Sequence, residues 1–318
     1  MRPIRTHHKI AGQSVLAIRF FLVFITVSFF YLSVFSQASA AKENVLLSPA
    51  YQEVTFAEKD AEKTIHFKLF NNTRKTFEFE LNPVNFAPQG ENGGLKFFEA
   101  ENSSYLFSLA SYMQLESPKV QLEPGEKKDI PVNIINRQDL SPGGHYAALI
   151  VRQMPVGEKT QVTEAVSALI FLKKTGGERY NLSLKDVSWP SSFITFYFPK
   201  QSSVIFQNEG NIHVVPYGQA EVKDMFGRLL YKGVLNENSY FVLPDSRRNI
   251  FISYQKMGWS LPVSFNSVSI FGRDSLKKVH YSYSTTFLYV NPYFTGGLAV
   301  VIAGLLMFRT YGKKKKKP

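Results

Sequence analysis

The chain has no cysteine among its 318 residues. Disulfides, thiolate nucleophiles and cysteine metal ligands are therefore excluded, and the fold must rest on core burial, which domains of about 100 residues or more can supply unaided. Histidine is also scarce. Beyond residue 40 only His66, His145, His213 and His280 occur, and no two of them stand at metal-ligand spacing. A Gly-X-Ser-X-Gly elbow, a phosphate-binding glycine loop and a close catalytic carboxylate pair are missing as well. No enzyme, no cofactor and no metal is expected. Catalysis would need a site assembled wholly from distant residues. Helical periodicity is absent over the whole middle of the chain.

The net charge of +12 is not spread through the chain. Four positive charges lie in residues 1–40 and five in Lys313 to Lys317, with no acid in either segment, which leaves +3 for residues 41–312. A nucleic-acid footprint requires the charge on the binding domain itself, so no nucleic-acid partner is expected. The charge fits membrane topology instead. Arg2, Arg5, Lys9 and Arg19 precede the apolar run Phe20 to Phe35, and Ala38-Ser39-Ala40 follows with small residues where a signal peptidase reads. Residues 1–40 read as a signal peptide; an uncleaved anchor helix is the competing reading. At the other end, residues 287–309 are apolar, led by Tyr289 and Tyr293 and followed by lysines. Aromatics at one end and basic residues at the other predict a transmembrane helix. Residues 310–318 would then form a cytoplasmic tail, with the body extracellular.

Two stretches about 120 residues apart share one phrase. Leu122-Glu123-Pro124-Gly125-Glu126-Lys127-Lys128-Asp129-Ile130 matches Val242-Leu243-Pro244-Asp245-Ser246-Arg247-Arg248-Asn249-Ile250 position by position. Upstream, Phe67 to Phe77 can be laid over Val204 to Val214, each a strand, an Asn-led turn and a strand. The offsets are 137 and 120, so the first copy carries 17 extra residues, placed in the polar stretch Pro88 to Ser104. The repeat implies duplication of one fold unit. Strand-turn-strand phrases of this kind also recur by chance.

The remaining body reads as short strands: Phe77 to Leu81, Ile130 to Ile134, Tyr146 to Val151, Val166 to Leu172, Ile194 to Phe198, Ala220 to Val222, Ile250 to Tyr254 and Val268 to Phe271. Asp224 and Glu221 read as solvated residues at a strand end. The predicted fold is all-β, with two tandem immunoglobulin-like β-sandwiches over residues 41–175 and 176–286. Phe97 and Phe98 stand among polar residues of the extra segment and are candidate ligand-binding residues; packing beneath the loop is the alternative.

The opening strand and Asn turn Phe67 to Phe77, Leu122 to Glu126, Pro142 to Ile150, Asn208-Glu209-Gly210-Asn211 and Asp224 to Arg228 resemble the WxL-interacting surface proteins of Gram-positive bacteria across residues 45–312. The resemblance implies a membrane-anchored cell-surface protein whose first domain contacts the cell wall (peptidoglycan) and whose second contacts another surface protein. It carries over no ligand residue. A pilus-chaperone-like assembly factor using an exposed edge strand is the alternative among binding functions. A cell-wall-modifying enzyme is the alternative outside them.

Overall fold

Eighteen strands and one long helix make up residues 44–100, 104–156 and 164–314, which the computed structural model describes. Residues 1–40, read from the sequence as a signal peptide, lie outside the described residues.

The first ten strands are β1 (Asn44–Ser48), β2 (Tyr51–Phe56), β3 (Glu62–Asn72), β4 (Phe77–Gln89), β5 (Gly94–Glu99), β6 (Met113–Leu115), β7 (Lys119–Leu122), β8 (Lys127–Ile135), β9 (Gly143–Pro155) and β10 (Glu164–Lys174). They form two sheets, β1-β3-β8-β6 and β2-β10-β9-β4-β5, with β7 also pairing β4. Alternation drives the layering. Ile65, Phe67 and Leu69 of β3 point one way and Thr64, His66 and Lys68 the other, so one face of the strand is buried and one is wet. Phe56, Phe67, Phe79, Leu122, Val132 and Ile170 meet between the sheets. Strands β1 and β2 belong to different sheets, and the chain crosses between them at the cis Ser48-Pro49 peptide.

The last eight strands are β11 (Leu182–Val187), β12 (Ile194–Thr195), β13 (Gln201–Asn208), β14 (Pro216–Asp224), β15 (Leu229–Leu235), β16 (Ser246–Lys256), β17 (Val263–Asp274) and β18 (His280–Val290). One sheet, ordered β11-β13-β16-β15-β14-β17-β18-β12, folds over itself. Phe206 and Ile250 on one side thereby share a core with Ala220, Ile270 and Tyr281 on the other. Among the described residues no ladder joins β10 to β11.

The sequence repeat is a repeat of hydrogen bonds. Asn71 is fully buried, and its Nδ2 donates to the carbonyls of Lys75 (2.9 Å) and Leu122 (3.1 Å) while its Oδ1 accepts from the Thr73 N–H (3.2 Å). Asn208, also fully buried, donates to Ile212 (2.7 Å) and Val242 (2.9 Å) and accepts from the Gly210 N–H (2.9 Å). Each of these partners falls on the matching position of the alignment, while a further bond from the Asn71 Nδ2 to the Glu123 carbonyl (3.1 Å) has no counterpart at Asn208 among the described residues. Strand registers match too: Phe67 opposes Ile130 as Val204 opposes Ile250, and Phe77 opposes Leu122 as Val214 bridges Val242. The residue after each proline is left-handed, Gly125 at φ 76° and Asp245 at φ 50°. Glycine adopts that conformation freely and aspartate tolerates it.

Three expectations need correction. Of Ile194 to Phe198, only Ile194–Thr195 is strand; Phe198 instead stacks on Tyr231 and lies against Tyr289, with ring centroids at 4.7 and 4.4 Å, so burial of its ring decides the local path. Strand β18 runs to Val290, and the helix α1 (Pro292–Lys314) begins two residues later. Residues 287–290 are therefore strand, since the Asn291 Oδ1 accepts the Tyr293 N–H (2.9 Å) as an N-cap and Pro292 occupies the first helical position. Asp224 is not solvated. It is buried, paired with Arg228 at 2.6 Å, and its Oδ1 accepts the N–H groups of Phe226 (3.0 Å) and Arg228 (2.9 Å). Helix α1 is long and apolar enough to cross a membrane, and none of residues 292–309 is buried.

Candidate binding edge

Strand β10 is covered on one side along its whole length and on the other along only part of it. Strand β9 pairs with Glu164 through Lys174, whereas β2 pairs only with Leu169 through Lys174. The Leu169 N–H donates to the Ala50 carbonyl (2.9 Å), which places the backbone polar groups of Leu169 on the β2 side. Alternation then sends the N–H and C=O of Ala165 and Ser167 to that same side, and among the described residues no strand receives them. The gap exists because β1, which could have continued β2 along this edge, pairs with β3 in the opposite sheet.

Three other edges are blunted. Strand β11 has a bulge between Leu184 and Asp186 and carries Lys185 and Asp186. Strand β5 carries Lys96 and Glu99, and β12 is two residues long. Bulges, charges and shortness are the usual defences against strand addition. The segment Ala165-Val166-Ser167-Ala168 has none of them. Its inner side chains are anchored, because Ala168 is buried and Val166 packs on the first core.

The same strand backs the junction of the two halves. Phe171 of β10 stacks on Phe241 (4.5 Å between centroids, 26° between planes), and its ring meets His213 edge-on at 5.2 Å. The Tyr146 Oη accepts the His213 backbone N–H at 2.8 Å, and burial pushes the Tyr146 hydroxyl well above its ordinary pKa. The Asn211 carbonyl accepts the Gly144 N–H (2.7 Å), and its Oδ1 accepts the Arg179 N–H (2.7 Å). The Glu53 carboxylate lies 3.7 Å from the His213 Nε2, and the imidazole beside it holds that carboxyl below its ordinary range. A cavity of about 330 Å³ opens here between Glu53, Lys173, His213 and Tyr217. Its charges are already engaged: Lys173 lies 3.5 Å from Glu178 and 3.2 Å from the Tyr180 hydroxyl.

Phe97 and Phe98 lie on β5, not on an irregular loop. The extra residues of the first copy form the β4–β5 hairpin, where Phe97 opposes Phe86 and Phe98 opposes Asn85. Their rings rest on Phe86 (6.3 Å) and Tyr105 (5.8 Å) respectively. The hairpin tip reaches the second half, where the Glu91 carbonyl accepts the Asn249 N–H at 2.7 Å. Length arithmetic located the insertion, and nothing in the local sequence announced that it clasps β16.

The four histidines are scattered. His66 is exposed with its Nδ1 2.6 Å from Asp129, and His280 is exposed on β18. His145 is buried, with its ring nitrogens 3.1 and 2.8 Å from the carbonyls of Ser108 and Ser141, and burial lowers its pKa. Among the described residues no three of His, Asp and Glu gather to hold a metal ion.

No family model and no curated protein matches the chain. Among solved structures it is similar to the chaperone–tip adhesin complex of CFA/I fimbriae, at 11% identity over 78% of this chain and 99% of that one, with a TM-score of 0.41. It is also similar to the class 5 fimbrial chaperone CfaA (10% identity, 78% and 99% covered, TM-score 0.39). A third likeness is to the CsuC–CsuE chaperone–tip subunit complex of Acinetobacter baumannii (14% identity, 78% and 99% covered, TM-score 0.38). Likenesses of this size assign no partner to the chain.

Proposed function

We propose that the chain is a membrane-anchored protein of two tandem immunoglobulin-like sandwiches that binds another protein by accepting one of its strands along β10. The backbone groups of Ala165 and Ser167, which no strand among the described residues receives, carry this reading. Strand addition draws its affinity from main-chain hydrogen bonds, so it needs a bare edge held rigid from behind; β9 and the Phe171–Phe241 stack supply that backing. Helix α1 would span the membrane, with the body outside and the lysine tail inside. The resemblance to WxL-interacting proteins adds the cell wall as a second ligand class.

The test is capture of surface and secreted proteins, and of purified wall, by the full chain in detergent. Ser167→Pro deletes an edge donor without touching the β9 ladder, while Ser167→Ala keeps it. We expect Ser167→Pro to lose at least about tenfold in protein capture, with an unchanged melting temperature, and Ser167→Ala to capture normally. Normal capture by the proline variant would rule out edge addition. Retention on wall alone would assign the binding to wall recognition.

A further inference from the structure

The end of the second half from which α1 leaves exposes apolar side chains on three separate loops. Strand β18 runs towards α1, and its neighbours fix which residues share that end. Val263 of β17 opposes Val290, and Ile194 and Thr195 of β12 oppose Leu288 and Tyr289 in parallel, so Phe196 and Tyr197 continue to the level of Val290 and Asn291. Strand β14 antiparallels β17 and finishes with Asp224 opposite Asn266, which puts the turn at residues 225–228 at the same end. Strand β16 antiparallels β15 and arrives there at Lys256, followed by residues 257–262. The Asn291 N–H donates to the Pro262 carbonyl at 2.7 Å, which ties the last of these loops to the start of the helix.

The tips of these loops are not polar. Phe226 is 69% exposed, Trp259 63% and Tyr197 62%, and Met225, Met257 and Phe196 are each more than half exposed. Isolated exposed apolar residues are ordinary, but loop tips converging on one end form a patch that calls for a partner. Their types are those of a membrane interface, where aromatic rings favour the headgroup level. The local charge agrees. Lys200 and Lys256 are exposed at this end, while the acids Glu221 and Asp224 are already paired with Lys223 (2.6 Å) and Arg228 (2.6 Å). Arg228 also lies over the Trp259 ring at 4.5 Å. The surface left unpaired is cationic, as anionic headgroups require. Only Asn291 separates β18 from a helix apolar enough to span a bilayer, so the patch has no linker that would carry it away from the membrane.

We infer that this end of the second half lies in the headgroup layer of the membrane that α1 enters, with Met225, Phe226, Met257, Trp259, Phe196 and Tyr197 in contact with lipid. The inference rests on the reading of α1 as a membrane span. It implies that α1 does not tether a freely swinging body: the second half stands on the bilayer through a protein–lipid contact of its own.

The chain holds two tryptophans, Trp189 buried and Trp259 exposed, which makes the contact measurable. Full-length protein is reconstituted in phosphatidylcholine–phosphatidylglycerol vesicles containing lipid brominated near the headgroup or deep in the chain, and fluorescence is compared with Trp259→Phe. We expect shallow bromine to quench the wild type at least about twofold more than the variant, and deep bromine to quench it less. Because the chain has no cysteine, Ala303→Cys reports on α1 separately through protection from an aqueous maleimide. Protection of the Ala303→Cys thiol with Trp259 unquenched by either lipid overturns the lipid contact and leaves the anchor standing. Labelling of the Ala303→Cys thiol removes the anchor and the inference with it. Trp259 shielded from aqueous iodide yet untouched by brominated lipid would mean that a protein, not lipid, covers the patch, which also overturns it.

Discussion

In the first half the buried Asn71 amide ties the β3 turn to Leu122, and in the second Asn208 ties the β13 turn to Val242 with the same bonds. Around that shared corner the halves diverge at their edges. The first keeps its two sheets separate and leaves β10 half bare. In the second, β15 pairs with both β14 and β16 and joins the two layers on one side. The first also carries the β4–β5 hairpin, whose tip reaches across to β16. The two halves thus share the buried polar corner that defines each turn and differ in what their edges present: the first leaves part of β10 without a neighbouring strand among the described residues, and the second closes itself and adjoins α1.

The sharpest way to break the comparison is to remove the corner from each copy in turn. Asn71→Ala and Asn208→Ala each orphan buried carbonyls and a turn N–H, and each should cost roughly 2–4 kcal/mol. Both tryptophans lie in the second half. Denaturant unfolding followed by tryptophan fluorescence should therefore respond most to Asn208→Ala, and circular dichroism should register both. A loss under about 1 kcal/mol at either site would show that the two corners are not energetic equivalents.

Next in size is the seam between the halves. Tyr146→Phe keeps the ring against Phe86 (5.7 Å) and Phe171 (5.8 Å) but leaves the His213 N–H without its acceptor. The expected cost is about 1–2 kcal/mol. It should separate the fluorescence and dichroism transitions, because the lost bond joins one half to the other. Coincident transitions at an unchanged midpoint would show the seam to be held elsewhere.

A smaller effect divides the hairpin pair. Phe97 is 40% exposed while Phe98 is partly covered and meets Tyr105. Phe98→Ala should lower stability by about 1 kcal/mol and Phe97→Ala by less. If ligand retention falls in Phe97→Ala while its melting temperature holds, the hairpin face binds; equal losses of stability at both positions would make the pair structural.

What the sequence disclosed follows the physics of each signal. Period-two alternation marked β8 and β16, continuous apolar runs marked β9 and β10, and the Asn and Pro anchors located both corners because a turn that needs a buried amide and a left-handed residue tolerates few side chains. The short strands β1, β6 and β7 were hidden, since three to five residues carry too little periodicity to detect. Phe287 and Tyr289 read as part of the apolar span because a buried strand and the start of a helix have the same composition; Asn291-Pro292 held the boundary. The bare edge of β10 could not be read at all. It depends on where β1 goes, and sheet assignment is decided by tertiary pairing.

The smallest expected effect concerns pH at the seam. The Glu53 carboxyl titrates below its ordinary value of 4.5 because His213 stands beside it. A group whose pKa is depressed by folding adds stability above its unfolded value and loses it as pH falls through the lower, folded one. Glu53 should therefore help to hold the halves together above about pH 4.5 and contribute nothing in stronger acid. Its side chain is 56% exposed, so solvent screens the pair and the gain is small. Glu53→Gln should accordingly match the wild type at low pH and fall slightly behind it at neutral pH, with the gap narrowing in high salt. Melting temperatures of the two proteins from strong acid to neutrality decide the matter. A gap that widens as the solution is acidified would place the depressed carboxyl elsewhere and leave the seam to Tyr146 and the Phe171–Phe241 stack.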